Sequence, residues 1–325
     1  MLVQLLSIAA LGSTLAMFVP KYRRHLRKKA VRRSHETWAI GIYEGPSPLE
    51  LRPAEGVVNP VLTASDVSDI RARFVADPFM VRAKDGYYMF FEVLNDRSNL
   101  GEIGYAFSPD ARRWSYRGIV LRERFHLSYP YVFFWDGSYY MIPECGKSGG
   151  IQLYRAASFP QSWERISTII PGDRERKAVV DPSIVRHGDR WYLFSCGKNR
   201  SLHLFVSESL AGPWVEHPRS PVITGSPQFS RPGGRVIEYD GSIYRYAQDE
   251  VPHYGSRVWA FRIVELTPTG YREEPVSGEP VLQAGGDSWN RDGMHTVDPH
   301  RQDSGNWLAC VDGFTIHPVK ENSPR

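Results

Sequence analysis

DPFMVRAKDGYYMFFE, residues 77–92, decides the fold, because the chain repeats it. Asp77-Pro78 opens an apolar extended run, Asp85-Gly86 reverses it, and a second apolar run climbs to Glu92. Asp-Gly between alternating apolar residues is a strong short-range hairpin signal. The next copy, YPYVFFWDGSYYMIPE, occupies residues 129–144, and the third, DPSIVRHGDRWYLFSC, residues 181–196. Both ends of the hairpin recur at a spacing of 52 residues, and a weaker fourth copy ends at Gln248, another 52 on. Unrelated hairpins have no reason to keep one spacing at both ends. A period near fifty that carries a hairpin plus a trailing strand pair is the sequence signature of a propeller blade.

The trailing halves recur as well. GEIGYAFSPDARRWSYRGIVL (101–121), GGIQLYRAASFPQSWERISTII (149–170) and RSLHLFVSESLAGPWVEHPRSPVI (200–223) each alternate apolar residues, turn, and then place a tryptophan: Trp114, Trp163 and Trp214. These three are expected to pack between blades. The fourth copy keeps the Asp240-Gly241 turn but starts on Arg231-Pro232, and a Gly-rich connection after it reads as a rim loop. A last hairpin, in MHTVDPHRQDSGNWLACVDGF (294–314), lacks trailing strands, while TWAIGIYEGPSPLEL (37–51) and NPVLTASDV (59–67) precede the first copy. Joining the early strands to the late hairpin leaves no open sheet edge. The expectation is an all-β, five-bladed β-propeller over residues 36–320, closed by N-terminal strands in the C-terminal blade, with no long helix after residue 35.

Ahead of it, residues 1–20 carry no charge, and eight basic residues with no acid follow between Lys21 and Arg33. An uncharged run of that length is enough to cross a bilayer, and basic residues after it, not before, are unlike a secretory signal. Residues 1–35 therefore read as a membrane anchor and basic leader. The positive-inside bias puts the propeller on the cytoplasmic side of the cell membrane; a true start at Met17 would leave a soluble cytoplasmic protein with a short basic arm. The formal net charge of +4 belongs to that tract, and the remainder of the chain is net acidic. This argues against a nucleic-acid surface. Three cysteines, Cys145, Cys196 and Cys310, give neither a disulfide framework nor zinc spacing. No glycine loop joins a strand to a helix, so nucleotide binding has no support, and neither a cofactor nor a bound metal is expected.

In a propeller the start of strand one and the end of strand two of each blade emerge at the same end of the channel. Asp77, Tyr129, Asp181, Arg231 and Asp298 are the strand starts; Glu92, Glu144, Cys196, Gln248 and Asp312 are the ends. Carboxylates crowded at one mouth drive their pKa values apart, as general acid and base roles require. An Asp before Pro also serves simply as a turn cap. Arg231, held by Pro232 and two glycines, suits a clamp for anions or sugar hydroxyls, Glu92 suits a partner for it, Trp289 suits a stacking platform, and His295 with Asp298 suits ligand contact.

The DPF motif at 77–79, the Asp-Gly-x-Tyr hairpins, Pro143-Glu144, ARRWSY (111–116) and HTVD (295–298) resemble the N-terminal domain of plant glucosamine inositolphosphorylceramide transferases and its stand-alone bacterial relatives. That domain is in turn similar to the five-bladed propellers of glycoside hydrolase families 43 and 32. The hydrolase resemblance implies Asp77 as general base, with Asp181 and Glu144 in the orienting and acid roles. Here the Glu falls in blade two and the second Asp in blade three, unlike the usual order. The resemblance as a whole implies a carbohydrate-active propeller, in its concrete form a glycoside hydrolase acting on a glycan or glycolipid. The alternative is a non-catalytic glycan-binding or scaffolding module that assists a glycosyltransferase.

Overall fold

The computed structural model describes residues 34–146, 148–172, 180–286 and 289–318. Trp38–Thr315 form one compact unit. Five antiparallel sheets make up a five-bladed β-propeller. Blade I holds β3 (Ala72–Ala83), β4 (Gly86–Asn95), β5 (Gly101–Ser108) and β6 (Ser115–Leu121) in that order. Blade II holds β7 (Ser128–Trp135), β8 (Ser138–Glu144), β9 (Gly150–Ser158) and β10 (Ser162–Pro171). Blade III runs β11 (Val180–His187), β12 (Arg190–Gly197), β13 (Ser201–Ser207) and β14 (Val215–Glu216). In blade IV the innermost strand is broken into β15 (Arg231–Pro232) and β16 (Ile237–Tyr239), both paired with β17 (Ser242–Asp249); β18 (Arg257–Leu266) comes next, flanked by β19 (Tyr271–Pro275) and β20 (Leu282–Gln283). Blade V has the order β2-β1-β22-β21, where β1 is Ser34–Ser47, β2 Glu50–Pro53, β21 Val297–Arg301 and β22 Trp307–Pro318. N-terminal strands thus complete the last blade, as expected. The single helical element among the described residues is a 3-10 turn at Ala64–Asp66.

Strand alternation explains why blades stack into a ring. Successive side chains on a strand point to opposite faces, and each face here meets a different neighbour. Phe90 of β4 joins the core shared with blades II and III, whereas Met89 and Phe91 join the core shared with blade V. Leu193 of β12 faces blade II, and Tyr192 and Phe194 face blade IV. On β22, Leu308 and Cys310 pack toward blade I, while Trp307, Ala309 and Val311 pack toward blade IV. The three repeat tryptophans close their own turns, each indole N–H donating to a carbonyl three or four residues back: Ala111, Pro160 and Leu210. Trp163 also sets its ring edge-on to Phe90 of blade I at 5.4 Å, the packing between blades that the sequence predicts. All three cysteines are buried and free.

The broken strand of blade IV has a clear cause. Gly233 accepts from Val297 N–H at 3.0 Å, and Gly234 bridges Val297 in parallel. Gly234 has φ +149°, and a Cβ there would lie 1.9 Å from the Val297 carbonyl oxygen. Gly234→Ala is expected to cost about 3 kcal/mol or more, combining backbone strain with overpacking. Urea denaturation measures it, and a loss under about 1 kcal/mol would show that the blade IV–V seam gives way easily.

One expectation is corrected. No helix among the described residues is long and apolar enough to cross a membrane. The transmembrane helix, the membrane-associated partner and the cytoplasmic-membrane placement read from the leader are therefore withdrawn. The described chain spends its apolar residues on the interfaces between blades. Residues 1–20 and the basic tract to Arg33, on which that reading rested, lie outside the described residues.

Candidate functional site

Three blades build their mouth-facing residue in the same way. Ala76 pairs Glu92 and Phe79 pairs Phe90, so Asp77 and Pro78 oppose a single residue. Ser128 with Glu144 and Tyr131 with Ile142 repeat the pattern around Tyr129, and Val180 with Cys196 and Ser183 with Phe194 repeat it around Asp181. Asp77, Tyr129 and Asp181 all take left-handed backbone angles, φ 53°, 46° and 51°. A bulge with a left-handed residue kinks the strand and re-aims its side chain. It turns the repeat's first residue into the channel mouth, which is why Asp recurs where β-propensity alone would disfavour it.

Arg231 draws the mouth together. Its Nε donates to Asp181, its terminal nitrogens lie 3.7 Å from Glu144 Oε2 and 3.6 Å from Glu250 Oε1, and its guanidinium sits 5.0 Å from the centre of the Tyr254 ring. Gln248 Nε2 donates to Asp181 Oδ2 at 2.8 Å, and its Oε1 is buried with no hydrogen-bond partner among the described residues. Asp181 is thus held from two sides. Glu144 keeps 16% of its side chain exposed, against 2% for Asp181 and 8% for Asp77, so it is the most accessible of the three carboxyls. Burial raises the Glu144 pKa well above its ordinary value, and the neighbouring Asp181 charge adds to that more than Arg231 takes away.

The blade V wall is a chain of acid, imidazole and acid. Asp312 Oδ1 accepts from His295 Nδ1 at 2.8 Å and from the Thr296 amide at 2.9 Å, and its Oδ2 accepts from the Asp77 amide at 2.9 Å. His295 Nε2 lies 3.5 Å from Asp77 Oδ1, to which Thr296 donates its hydroxyl at 2.8 Å. Trp38 packs over the imidazole at 4.2 Å and Tyr254 meets it edge-on. Burial pulls the His295 pKa down, but Asp312 and Asp77 outweigh it and bring it to about 9. Burial pushes Asp77 up to about 7, with His295 opposing and Asp312 and Asp181 reinforcing. The ligand atoms of Asp77, His295 and Asp312 lie within 4.8 Å of one another, a spacing able to hold a metal ion.

The structure brings together Asp77, Glu144, Asp181, Arg231, Gln248 and His295. It places four other sequence candidates differently. Tyr129 is fully buried and plugs the channel: its hydroxyl accepts from Gly234 N–H at 2.6 Å and shares a hydrogen bond with Ser183 Oγ at 2.9 Å, and both hydroxyls reach the Gly234 carbonyl. Asp298 lies deeper, three residues down the strands from the mouth, where it takes the Met80 amide at 2.6 Å and pairs with Arg235 and His300. The residue opposite Asp312 is Thr296, whose carbonyl accepts the Asp312 amide, so the mouth lies level with Thr296, just ahead of β21 and two residues before Asp298. Trp289 is buried, edge-on to Tyr43 and closely under Gly41, so it is core and not a platform. Glu92 faces His126 Nε2 at 3.2 Å instead of Arg231. Since His126 Nδ1 accepts from the Gly101 amide, the ring proton sits on Nε2, toward Glu92. Sequence reasoning missed Thr296, Glu250, Tyr254 and Trp38. Thr296 inside the HTVD motif and Glu250 directly after the fourth hairpin were the available signals.

The fold and mouth together define a class: a five-bladed propeller whose acids converge on one end of a plugged channel. The chain belongs to the family described as glucosamine inositolphosphorylceramide transferase 1, N-terminal, whose model matches residues 31–314. It is 37% identical over 304 residues to glucosamine inositolphosphorylceramide transferase 1 of Oryza sativa subsp. japonica, and 36% identical over 305 residues to that of Arabidopsis thaliana. These alignments cover 86% of this chain but only 40% and 39% of the relatives, so the chain spans about two fifths of their length. Among solved structures, the xyloglucan PUL protein GH43B of Bacteroides ovatus superposes with a TM-score of 0.58 at 17% identity, over 80% of this chain and 54% of its own. Zg3597, a family 117 glycoside hydrolase of Zobellia galactanivorans, gives 0.52 at 16%, over 77% and 87%. The fold is therefore one that carbohydrate-active propellers share.

Proposed function

We propose that the mouth binds a saccharide and cleaves a glycosidic bond by acid and base catalysis. The observation that carries this reading is the pairing of unlike carboxyls. Glu144, the most accessible of the three, has its pKa raised by burial and by Asp181, while Asp77 sits across the mouth in a charged, hydrogen-bonded wall. Glu144 gives its proton to the glycosidic oxygen as the bond from that oxygen to the anomeric carbon breaks. Asp77 takes a proton from the water whose oxygen attacks that carbon. Afterwards Glu144 is a carboxylate and Asp77 an acid, and exchange with solvent restores both. Arg231, Gln248 and Tyr254 hold the sugar, the guanidinium and amide meeting hydroxyls and the ring offering an apolar face. The relatives' name, glucosamine inositolphosphorylceramide transferase, points to a glycan or glycolipid headgroup as substrate class.

One observation favours a second reading, a glycan-recognition module assisting a glycosyltransferase. Asp77 is nearly buried, and its oxygens already accept from Thr296 and the Tyr129 amide. The two readings separate in one experiment. Sugar release from a glycan panel is compared among wild type, Asp77→Asn and Glu144→Gln, with binding measured in parallel. Release abolished in both variants with binding retained supports catalysis. Binding without release in all three proteins sinks it and leaves recognition.

A further inference from the structure

The end of the propeller opposite the mouth carries an aromatic cleft that plays no part in the proposed catalysis. Strand β7 leaves the mouth at Tyr129 and reaches the far end at FFW, residues 133–135, before the Asp136-Gly137 turn; β11 likewise runs from Asp181 to Arg186. Phe134 and Trp135 are 57% and 37% exposed, the only aromatics among the large hydrophobics on the described surface. Trp135 meets the buried Trp191 of blade III edge-on at 5.0 Å, and the Arg186 guanidinium lies 4.9 Å from its ring centre. Arg186 has no acidic partner among the described residues. Between blades II and III, Trp135, Trp191 and Arg186, but not Phe134, border an open cleft of about 410 Å³ shared with Tyr140, Arg155 and Glu208, the last paired with Arg190 at 2.8 Å. That volume falls in the range of small-molecule sites.

We propose that this cleft is a second saccharide-binding site, separate from the mouth, in which a pyranose ring lies against Trp135 and its hydroxyls meet Arg186 and Glu208. Two features select a sugar over other occupants. The lining combines the rings of Trp135, Trp191 and Tyr140 with the charged groups of Arg186, Arg155 and Glu208, matching a ligand with one apolar face and a rim of hydroxyls. The cleft holds only about 410 Å³, with the buried Trp191 in its lining, whereas a stable protein partner needs roughly 800 Å² on each side. Arg186 already has its orientation set by Trp135, so its free donors are presented without a further ordering cost.

The test uses the whole chain carrying Asp77→Asn and Glu144→Gln, so that turnover at the mouth does not consume the probe. Xylohexaose, cellohexaose and trigalacturonate are titrated by calorimetry into this protein and into versions adding Trp135→Ala or Arg186→Ala. At least one probe is expected to bind, and either substitution is expected to weaken it about tenfold, the loss of one aromatic or charged contact. Unchanged thermal unfolding in the Arg186→Ala protein guards against a folding defect. The proposal is overturned if no probe binds, if binding survives both substitutions unchanged, or if sedimentation shows a dimer that Trp135→Ala dissolves. The last outcome would assign the face to a second copy. Failure of hydrolysis at the mouth leaves this result untouched, because the readout is the change that Trp135→Ala or Arg186→Ala makes while the mouth stays the same throughout.

Discussion

Replacing Asp298 by alanine is expected to cost about 3–5 kcal/mol of stability, the largest single loss in the channel. Asp298 is fully buried and takes four partners from three blades: Arg235, His300, the Met80 amide and, weakly, the Cys310 thiol. Its removal strands the Arg235 guanidinium, whose remaining acceptors are the carbonyls of Met80 and Val132. A cation left unpaired at such a depth costs far more than a lost surface contact. Thermal unfolding should fall on the order of 10 °C. Adding Arg235→Met should recover part of the loss, since replacing both members of a buried pair by apolar groups is often close to neutral. If Asp298→Ala unfolds like wild type, the Arg235 pair is not what seals the channel.

The same pair sets an acid limb. Burial alone would raise the Asp298 pKa, but Arg235 and His300 outweigh it and bring it from 3.8 to about 2. A carboxylate with a depressed pKa stabilises the fold above its unfolded value and loses that contribution as pH falls through the folded one. The stabilisation, on the order of 2 kcal/mol, is therefore present above about pH 4 and lost toward pH 2. In Asp298→Ala this limb should be missing.

Glu144→Gln is expected to lower the rate of sugar release by about 10²–10⁴-fold, the usual worth of a positioned general acid, with little change in binding. Glutamine keeps the shape and the hydrogen-bonding capacity but has no acidic proton to give. The pH profile carries the sharper prediction. Asp77, raised by burial to about 7, becomes a base only above that pH, so activity should climb through neutrality. Glu144 acts as acid only below its own raised pKa, so activity should fall as that carboxyl ionises. The variant should lose the falling limb, which Glu144 sets, and keep the rising one. An unchanged profile in Glu144→Gln would remove the acid role from this residue and return the mouth to a binding function.

Much of this architecture is legible in the chain alone. The 52-residue spacing of Asp77, Tyr129 and Asp181 marks blades, and the alternation in MFF or YLF marks strands with two buried faces. The unfinished hairpin at the C-terminus requires the strands near Trp38. The convergence of Asp77, Glu144, Asp181 and Arg231 comes from the same count, because antiparallel strands return their ends to one side. The sequence puts Asp298 at the mouth, two residues past the Thr296 that stands there, because the Gly-rich connection before it breaks the repeat. Trp289 reads as exposed because it sits in a loop, yet the missing side chain at Gly41 leaves room for its ring in the core.

Hairpins, blade number and closure were determined by the sequence, since turn chemistry and two-residue alternation act between neighbours along the chain. The charge state and reach of each acid were decided only by tertiary structure. Asp77, Glu144 and Asp298 have the same chemistry in sequence but part ways once folded. Asp77 meets His295 and Asp312, more than two hundred residues away in the chain. Asp298 meets Arg235 and Met80 in the dry channel, and Glu144 stays at the mouth beside another acid. A pKa reflects local solvation and charge, and here residues from different blades set both.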